Sequence, residues 1–224
     1  MIKNISNLGD SALYCDFGTE INKKINSEVI KYFKNLKDKN IEGINNLTPS
    51  YNKLIVSFDL NKTNFKNIKK LVEALDVSET KSLSTKKIEI PICCDESFSL
   101  DIKRLEKKLK LDKNEILKNF LNKEYFCYMT GFIAGMPFLG DLDENMRTER
   151  LETPRVKVPK GSVGLTEQFA NIYTFESPGG WNIIGNTPLR IFNSSKEIEP
   201  NLINPGDIVS FKKISLETYS NFGE

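Results

Sequence analysis

The sequence predicts a small α+β domain followed by a mainly-β domain that closes as a barrel or sandwich. Three observations carry this. Apolar residues recur at helical spacing in the first 75 residues. A polar stretch, Ser78 to Lys86, has the composition of a linker and puts a domain boundary near residue 84. Nine of the 13 glycines and seven of the nine prolines lie between Gly131 and Gly206, among short β-prone runs. The predicted domains are 1–84 and 85–224.

In the first domain, Ala12 to Phe17 reads as a strand. Ile21, Ile25, Val29, Ile30, Phe33 and Leu36 then recur at three- and four-residue steps, the stripe of an amphipathic helix. After the breaker Pro49-Ser50, Lys53 to Phe58 reads as a strand, and Asn64 to Leu75 as a second helix. Helices packed on one face of a sheet are expected. The second domain opens with a strand over Lys87 to Ile92 and two helices, Leu100 to Leu109 and Lys113 to Leu121, the latter capped by Asp112. Strands are then expected at Tyr125 to Met129, Ser162 to Leu165, Phe169 to Phe175, Trp181 to Ile184, Leu189 to Phe192 and Ile208 to Ile214.

Composition excludes several chemistries. The chain has no histidine, which removes Ser-His-Asp and Cys-His catalysis and every histidine-containing metal site. Its 32 Lys and Arg against 30 Asp and Glu give a net charge of +2, no electrostatic case for nucleic acid or an acidic membrane. Cys15, Cys93, Cys94 and Cys127 form no CxxC pair, so neither a metal site nor a disulfide framework is expected, and reduced thiols fit a cytoplasmic protein. Cys127 lies in an aromatic strand and reads as a packing residue. No stretch approaches the roughly 20 apolar residues of a membrane span. Without a Gly-Lys dipeptide or a GxGxxG string there is no Walker A loop or dinucleotide fingerprint, so ATP has to be bound by other means or by another chain.

Three strings concentrate residues that shape backbone: GFIAGMPFLGDLD from Gly131, TPRVKVPKGSVG from Thr153, and FESPGGWNIIGNTPL from Phe175. Pro178 fixes φ, and Gly179 and Gly180 can take positive φ or let a ligand approach the main chain, with Ser177 and Trp181 flanking. Such a turn presents N–H groups to an oxyanion. It reads equally as a tight barrel turn with Trp181 plugging the core. Arg155, after Thr153-Pro154, suits bidentate recognition of a carboxylate or phosphate, or else a surface ion pair. Glu176, Asp141, Asp143 and Glu144 are the nearest carboxylates for a base or for magnesium.

These strings resemble the family formed by the B component of 5-oxoprolinase, also described as allophanate hydrolase subunit 1 or KipI-like proteins, of the carboxyltransferase-domain C/D type. Gly9-Asp10-Ser11-Ala12-Leu13, Phe17-Gly18 and Pro49-Ser50-Tyr51 resemble its N-terminal domain. Gly131-Phe132, Gly135, Pro137 and Leu139-Gly140 resemble its GF-x-PGFPYLGGLD string, and Thr153-Pro154-Arg155 its second TPR. Val158-Pro159 with Gly161 to Gly164 resembles VPAGSVG, Ser177 to Leu189 resembles SPGGW-x-IIG-x-TPL, and Pro205-Gly206-Asp207 the closing PGD. The chain departs from the pattern in lacking the histidine of the preceding helix, where Asn119-Phe120-Leu121 stands. Thr148-Glu149-Arg150 replaces the first TPR, Phe169 falls on the usual glutamine and Ala134 on a proline.

The resemblance implies an N-terminal α+β domain and a C-terminal cyclophilin-like β-barrel. It implies two partners, a homologous C component and an A component of 5-oxoprolinase. The implied reaction is ATP-dependent opening of 5-oxo-L-proline to L-glutamate, with ATP, and any Mg, bound with or by a partner. Phosphorylating the amide oxygen would make it a leaving group, a step that needs cationic and N–H donors. Arg155 and Glu176 are the expected catalytic residues. Thr153, Pro154, Ser162, Ser177, Pro178, Gly179, Gly180, Trp181, Gly135 and Pro137 are expected at the substrate. The same resemblance allows two other roles, a regulatory protein that docks on a sensor histidine kinase and a member of a urea- or allophanate-processing complex.

Overall fold

The computed structural model describes residues 1–77 and 85–223. Contacts divide the chain into two units, Met1–Ser84 and Thr85–Glu224. Most of the expected linker, with the boundary at residue 84, lies outside the described residues.

Strict alternation builds the first sheet. In β2 (Ala12–Asp16) and β4 (Lys53–Phe58) every second side chain is buried, which puts Leu13, Cys15, Leu54, Val56 and Phe58 on one face. β1 (Asn4–Asn7) and β3 (Ile44–Pro49) complete an antiparallel sheet of order β1-β2-β4-β3. Helices α1 (Lys23–Lys39) and α2 (Phe65–Glu73) share one core with that face through Val29, Tyr32, Leu36, Ile68 and Val72. Asn22 and Asn64 cap them, each accepting the backbone N–H three residues on at 2.9 and 3.0 Å. The first helix thus starts later than its apolar stripe predicts, and Ile21 stays outside it, 36 % exposed.

The second unit is a closed barrel of order β10-β7-β6-β13-β5-β12-β9. Its strands are β5 (Lys87–Cys93), β6 (Glu124–Thr130), β7 (Pro137–Gly140), β9 (Ser162–Thr166), β10 (Phe169–Ile172), β12 (Asn182–Asn186) and β13 (Ile208–Ile214). β5 and β13 run parallel and the other pairs antiparallel. Closure removes exposed edges, and the core collects Ile90, Ile92, Cys127, Leu165, Ile184 and Val209. Helices α3 (Ile102–Leu109) and α4 (Lys113–Leu121) pack on one another. α4 starts with a reciprocal Asp112–Glu115 capping box and drives Phe120 against Tyr125 and Phe211. Separate from the barrel sheet, β8 (Arg155–Val158) and β11 (Ser177–Gly179) form a two-stranded ribbon. A short helix, α5 (Leu216–Ser220), follows β13.

Two expected strands are corrected. Leu189 to Phe192 is no strand: Ile191 is buried in the core, while Phe192 makes only an isolated bridge to Asn201. The strand expected over Phe169 to Phe175 stops at Ile172, because Thr174 turns its hydroxyl to the Ala134 carbonyl at 2.7 Å. All four cysteines are free and buried, and burial pushes the Cys15 thiol up to about 12 and Cys94 to about 11. Cys127 is fully buried and its thiol is raised well above the usual range by the same cause, so its side chain packs rather than reacts. Among the described residues no helix is long and apolar enough to cross a membrane.

Candidate functional site

The ribbon is fixed to the barrel by one charge pair. Asp101, immediately before α3, is 5 % exposed and does not cap its helix. Its Oδ1 accepts from Arg155 Nη2 at 2.6 Å and its Oδ2 from the Ile183 N–H at 2.7 Å. The Asp101 N–H returns a bond to the Ile183 carbonyl at 3.0 Å. Arg155 therefore has a fixed orientation: it is neither mobile in solvent nor an ordinary surface pair, because its partner is buried. Its Nη1 is shielded from solvent and has no hydrogen-bond partner, so one side of the guanidinium is committed and the other is unmatched.

The neighbouring strand supplies the next groups. Gly179 stands opposite Arg155 and Ser177 opposite Val158, with a bulge between. Neither Gly179 nor Gly180 lies in the left-handed region, so positive φ does not explain them. Gly179 is required by Tyr173: a Cβ there would overlap the phenolic oxygen and come within 2.8 and 2.9 Å of two ring carbons. A Cβ on Gly180 would meet nothing nearer than Pro154 at 3.6 Å. Ser177 Oγ is buried without a partner. Burial raises the Tyr173 phenol above its ordinary range, outweighing the opposing effects of the Asn171 side chain, the Trp181 backbone and the charges of Arg150 and Arg155. It is a neutral O–H at physiological pH, set among cations.

A second arginine braces the same wall. Arg104, on α3, donates to Asn182 Oδ1, to Glu149 Oε1 at 3.1 Å and to the Arg150 carbonyl at 3.4 Å. Asn182 is fully buried in β12 and donates to the Glu149 and Leu165 carbonyls at 3.0 and 3.1 Å. The Glu149 carboxyl is drawn down from 4.5 to about 2, chiefly by a hydrogen bond from Lys108. Such a lowered group contributes stability that is present above pH 4.5 and lost as pH falls towards 2. Lys108→Ala is expected to return the Glu149 titration towards 4.5 in a carboxyl NMR titration; an unmoved midpoint would assign the shift to another group.

The structure brings together Arg155, Ser177, Gly179, Gly180 and Pro154, with the Leu151 N–H bonded to the Gly180 carbonyl at 2.7 Å. Thr153, Pro154 and Pro178 are exposed on the ribbon and the loop before it. Trp181 is buried, edge-on to Phe138 at 5.6 Å, and fills the role of a core plug. Other expected residues sit elsewhere. Ser162 lies beside Asn186, its Oγ 3.5 Å from that amide. Pro137 is buried at the start of β7, and Gly135 has φ of 69° beneath Phe192 and Asn201. Glu176 is exposed and paired with Lys157 at 3.1 Å. Asp141 accepts both its contacts from Tyr128, and Asp143 is bound by Lys123. Among the described residues no group of three or more His, Cys, Asp or Glu is placed to hold a metal ion.

Asp101, Tyr173, Arg104 and Asn182 escaped the sequence reading. Asn182 carried a usable signal, a polar residue inside the buried run WNIIGN that had to find partners. Asp101 carried none, because its partner is 54 residues away. If Tyr173 rather than a ligand requires the glycine, Gly179→Ala should cost about 2 kcal/mol by overpacking, Gly180→Ala should be near neutral, and Tyr173→Phe should partly relieve the first. Equal losses at both glycines in urea titrations would remove that assignment.

The fold and site together make a closed β-barrel module with an arginine–carboxylate brace at a two-stranded ribbon. The chain belongs to the family described as carboxyltransferase domain, subdomain C and D, whose model matches residues 3–203. It is 32 % identical, over 98 % of its length and 96 % of the relative's, to the 5-oxoprolinase B component of Bacillus subtilis (strain 168). It is 48 % identical over 87 residues, 39 % of this chain and 40 % of the relative, to the 5-oxoprolinase B component of Haemophilus influenzae. Among solved structures, TTHA0988 superposes with a TM-score of 0.83 at 25 % identity over 92 % of this chain, which spans 40 % of that longer chain. The urea amidolyase of K. lactis shares the fold, with a TM-score of 0.77 at 20 % identity over 97 % of this chain and 15 % of its own length.

Proposed function

We propose that this chain is the B component of an ATP-dependent 5-oxoprolinase that opens 5-oxo-L-proline to L-glutamate together with a homologous C component and an A component. The observation that carries this reading is the 32 % identity, end to end, with a protein named as the B component of 5-oxoprolinase. A five-membered lactam is a poor electrophile, and its opening builds negative charge on the lactam oxygen, which fixed donors must meet. Arg155, oriented by Asp101, is a cation that needs no reorganisation, and the Tyr173 phenol is a neutral donor beside it. In this reading Glu176 contributes only charge at the solvent edge of the ribbon.

ATP and Mg are assigned to the assembly as a whole. The described residues offer no cluster of carboxylates for a metal–nucleotide. A urea-processing role has likeness of fold alone behind it.

Reconstitution tests the proposal. Purified chain mixed with the A and C components, oxoproline and ATP should form glutamate, and omitting this chain should abolish it. Glutamate formation that does not depend on the chain would sink the reading. So would an inert mixture combined with co-purification of a histidine-kinase dimerisation domain.

A further inference from the structure

In the barrel unit, the start of β5 and the 190–202 loop line an open cleft of about 420 Å³. Its polar lining is Lys86, Arg190, Lys196, Asn193, Asn201 and Glu199. The cations in that set outnumber its single carboxylate. Asn201 Oδ1 is buried without a hydrogen-bond partner, turned against Gly135, where a Cβ would lie 2.8 Å from it. Asn193 Oδ1 accepts the Ser195 N–H at 3.1 Å, and Glu199 lies 3.9 Å from the Lys86 ammonium. What the lining offers in surplus is donors. The side chains of Arg190 and Lys196 have no ion-pair or hydrogen-bond partner among the described residues. Ile88 and Leu202 give the same cleft an apolar wall.

We propose that this cleft binds a small organic anion, its carboxylate or phosphate oxygens held by Arg190 and Lys196 and supported by the amide groups of Asn193 and Asn201. Three cations against one carboxylate set the charge, and the surplus of N–H over lone pairs sets the chemistry. The apolar wall favours a ligand with a carbon frame over a bare ion. The cleft shares no residue with the Arg155 cluster, and the proposal does not depend on the enzymatic reading.

Calorimetric titration of the full chain with L-glutamate and, separately, inorganic phosphate, at constant ionic strength set with chloride, tests it. One-to-one saturable binding of at least one probe is expected, and which one binds assigns the head group. Arg190→Ala, at an exposed position, should weaken it about tenfold. Lys212→Ala, an exposed lysine paired with Glu89 outside the cleft, should leave it unchanged. Absence of saturable binding for both probes, wild-type affinity in Arg190→Ala, or an equal loss in Lys212→Ala would overturn the proposal.

Discussion

Replacing Arg155 by alanine is expected to lower the unfolding free energy of the barrel unit by about 3 kcal/mol, the low end for breaking a buried ion pair. Asp101 is 5 % exposed, and without the guanidinium its carboxylate keeps only the Ile183 N–H. The reverse change is milder. Asp101→Ala leaves Arg155, whose side chain is 28 % exposed and can turn to water, and it costs about 1–2 kcal/mol through the unpaired Ile183 N–H. The double variant should cost less than the two singles together, since no charge is then left buried. Urea unfolding followed by the fluorescence of the sole tryptophan, Trp181, reads all three. A loss within about 0.5 kcal/mol for Arg155→Ala, the range of ordinary surface changes, would make the pair a surface contact after all.

This changes how activity data on Arg155 have to be read. A variant that loses turnover in the assembled complex has two causes available, a missing cation at substrate and a loosened ribbon. Arg155→Lys separates them, because it keeps the charge over Asp101 while losing the planar fork. Restored stability without restored turnover would place the guanidinium at the substrate. Restored turnover would make Arg155 a positioning residue.

What the sequence made legible follows from range. Elements whose evidence is local were readable: the alternation of Lys53 to Phe58, the N-cap at Asp112, and the run Ile208 to Ile214 all coincide with observed elements. β3, INNLTP, was not, because an edge strand needs no second apolar face and its composition is that of a loop. The ribbon strands were missed because three or four residues give too few repeats for a period. Leu189 to Phe192 misled for the opposite reason: it is apolar because Ile191 enters the core, and apolar burial does not require a ladder. At the site, Arg155 was visible through its Thr-Pro context. Its anchor Asp101 and its neighbour Tyr173 were not, since only barrel closure brings them together.

The glycine at 161 carries the other large effect, and it joins fold to site. Its φ of 82° lies in the left-handed region, and a Cβ would overlap the Thr187 carbonyl oxygen and lie 2.5 Å from Asn186 Oδ1. Backbone cannot give way as a flexible side chain does. Gly161→Ala is therefore expected to cost about 3 kcal/mol, roughly 1–2 from the left-handed conformation and the remainder from overpacking. Gly180→Ala, with no such φ and its nearest neighbour at an ordinary van der Waals distance of 3.6 Å, is the control. The Gly161 N–H bonds to the Tyr173 carbonyl at 2.7 Å, and its carbonyl accepts the Thr187 N–H at 2.9 Å. Moving this turn shifts β9 against both the Tyr173 segment and the end of β12. In Gly161→Ala the unfolding midpoint and the Trp181 emission of the folded state should thus change together, because Trp181 directly precedes β12. A lowered midpoint with unaltered emission would confine the strain to the turn, and an unaltered midpoint would mean that the Thr187 carbonyl can yield.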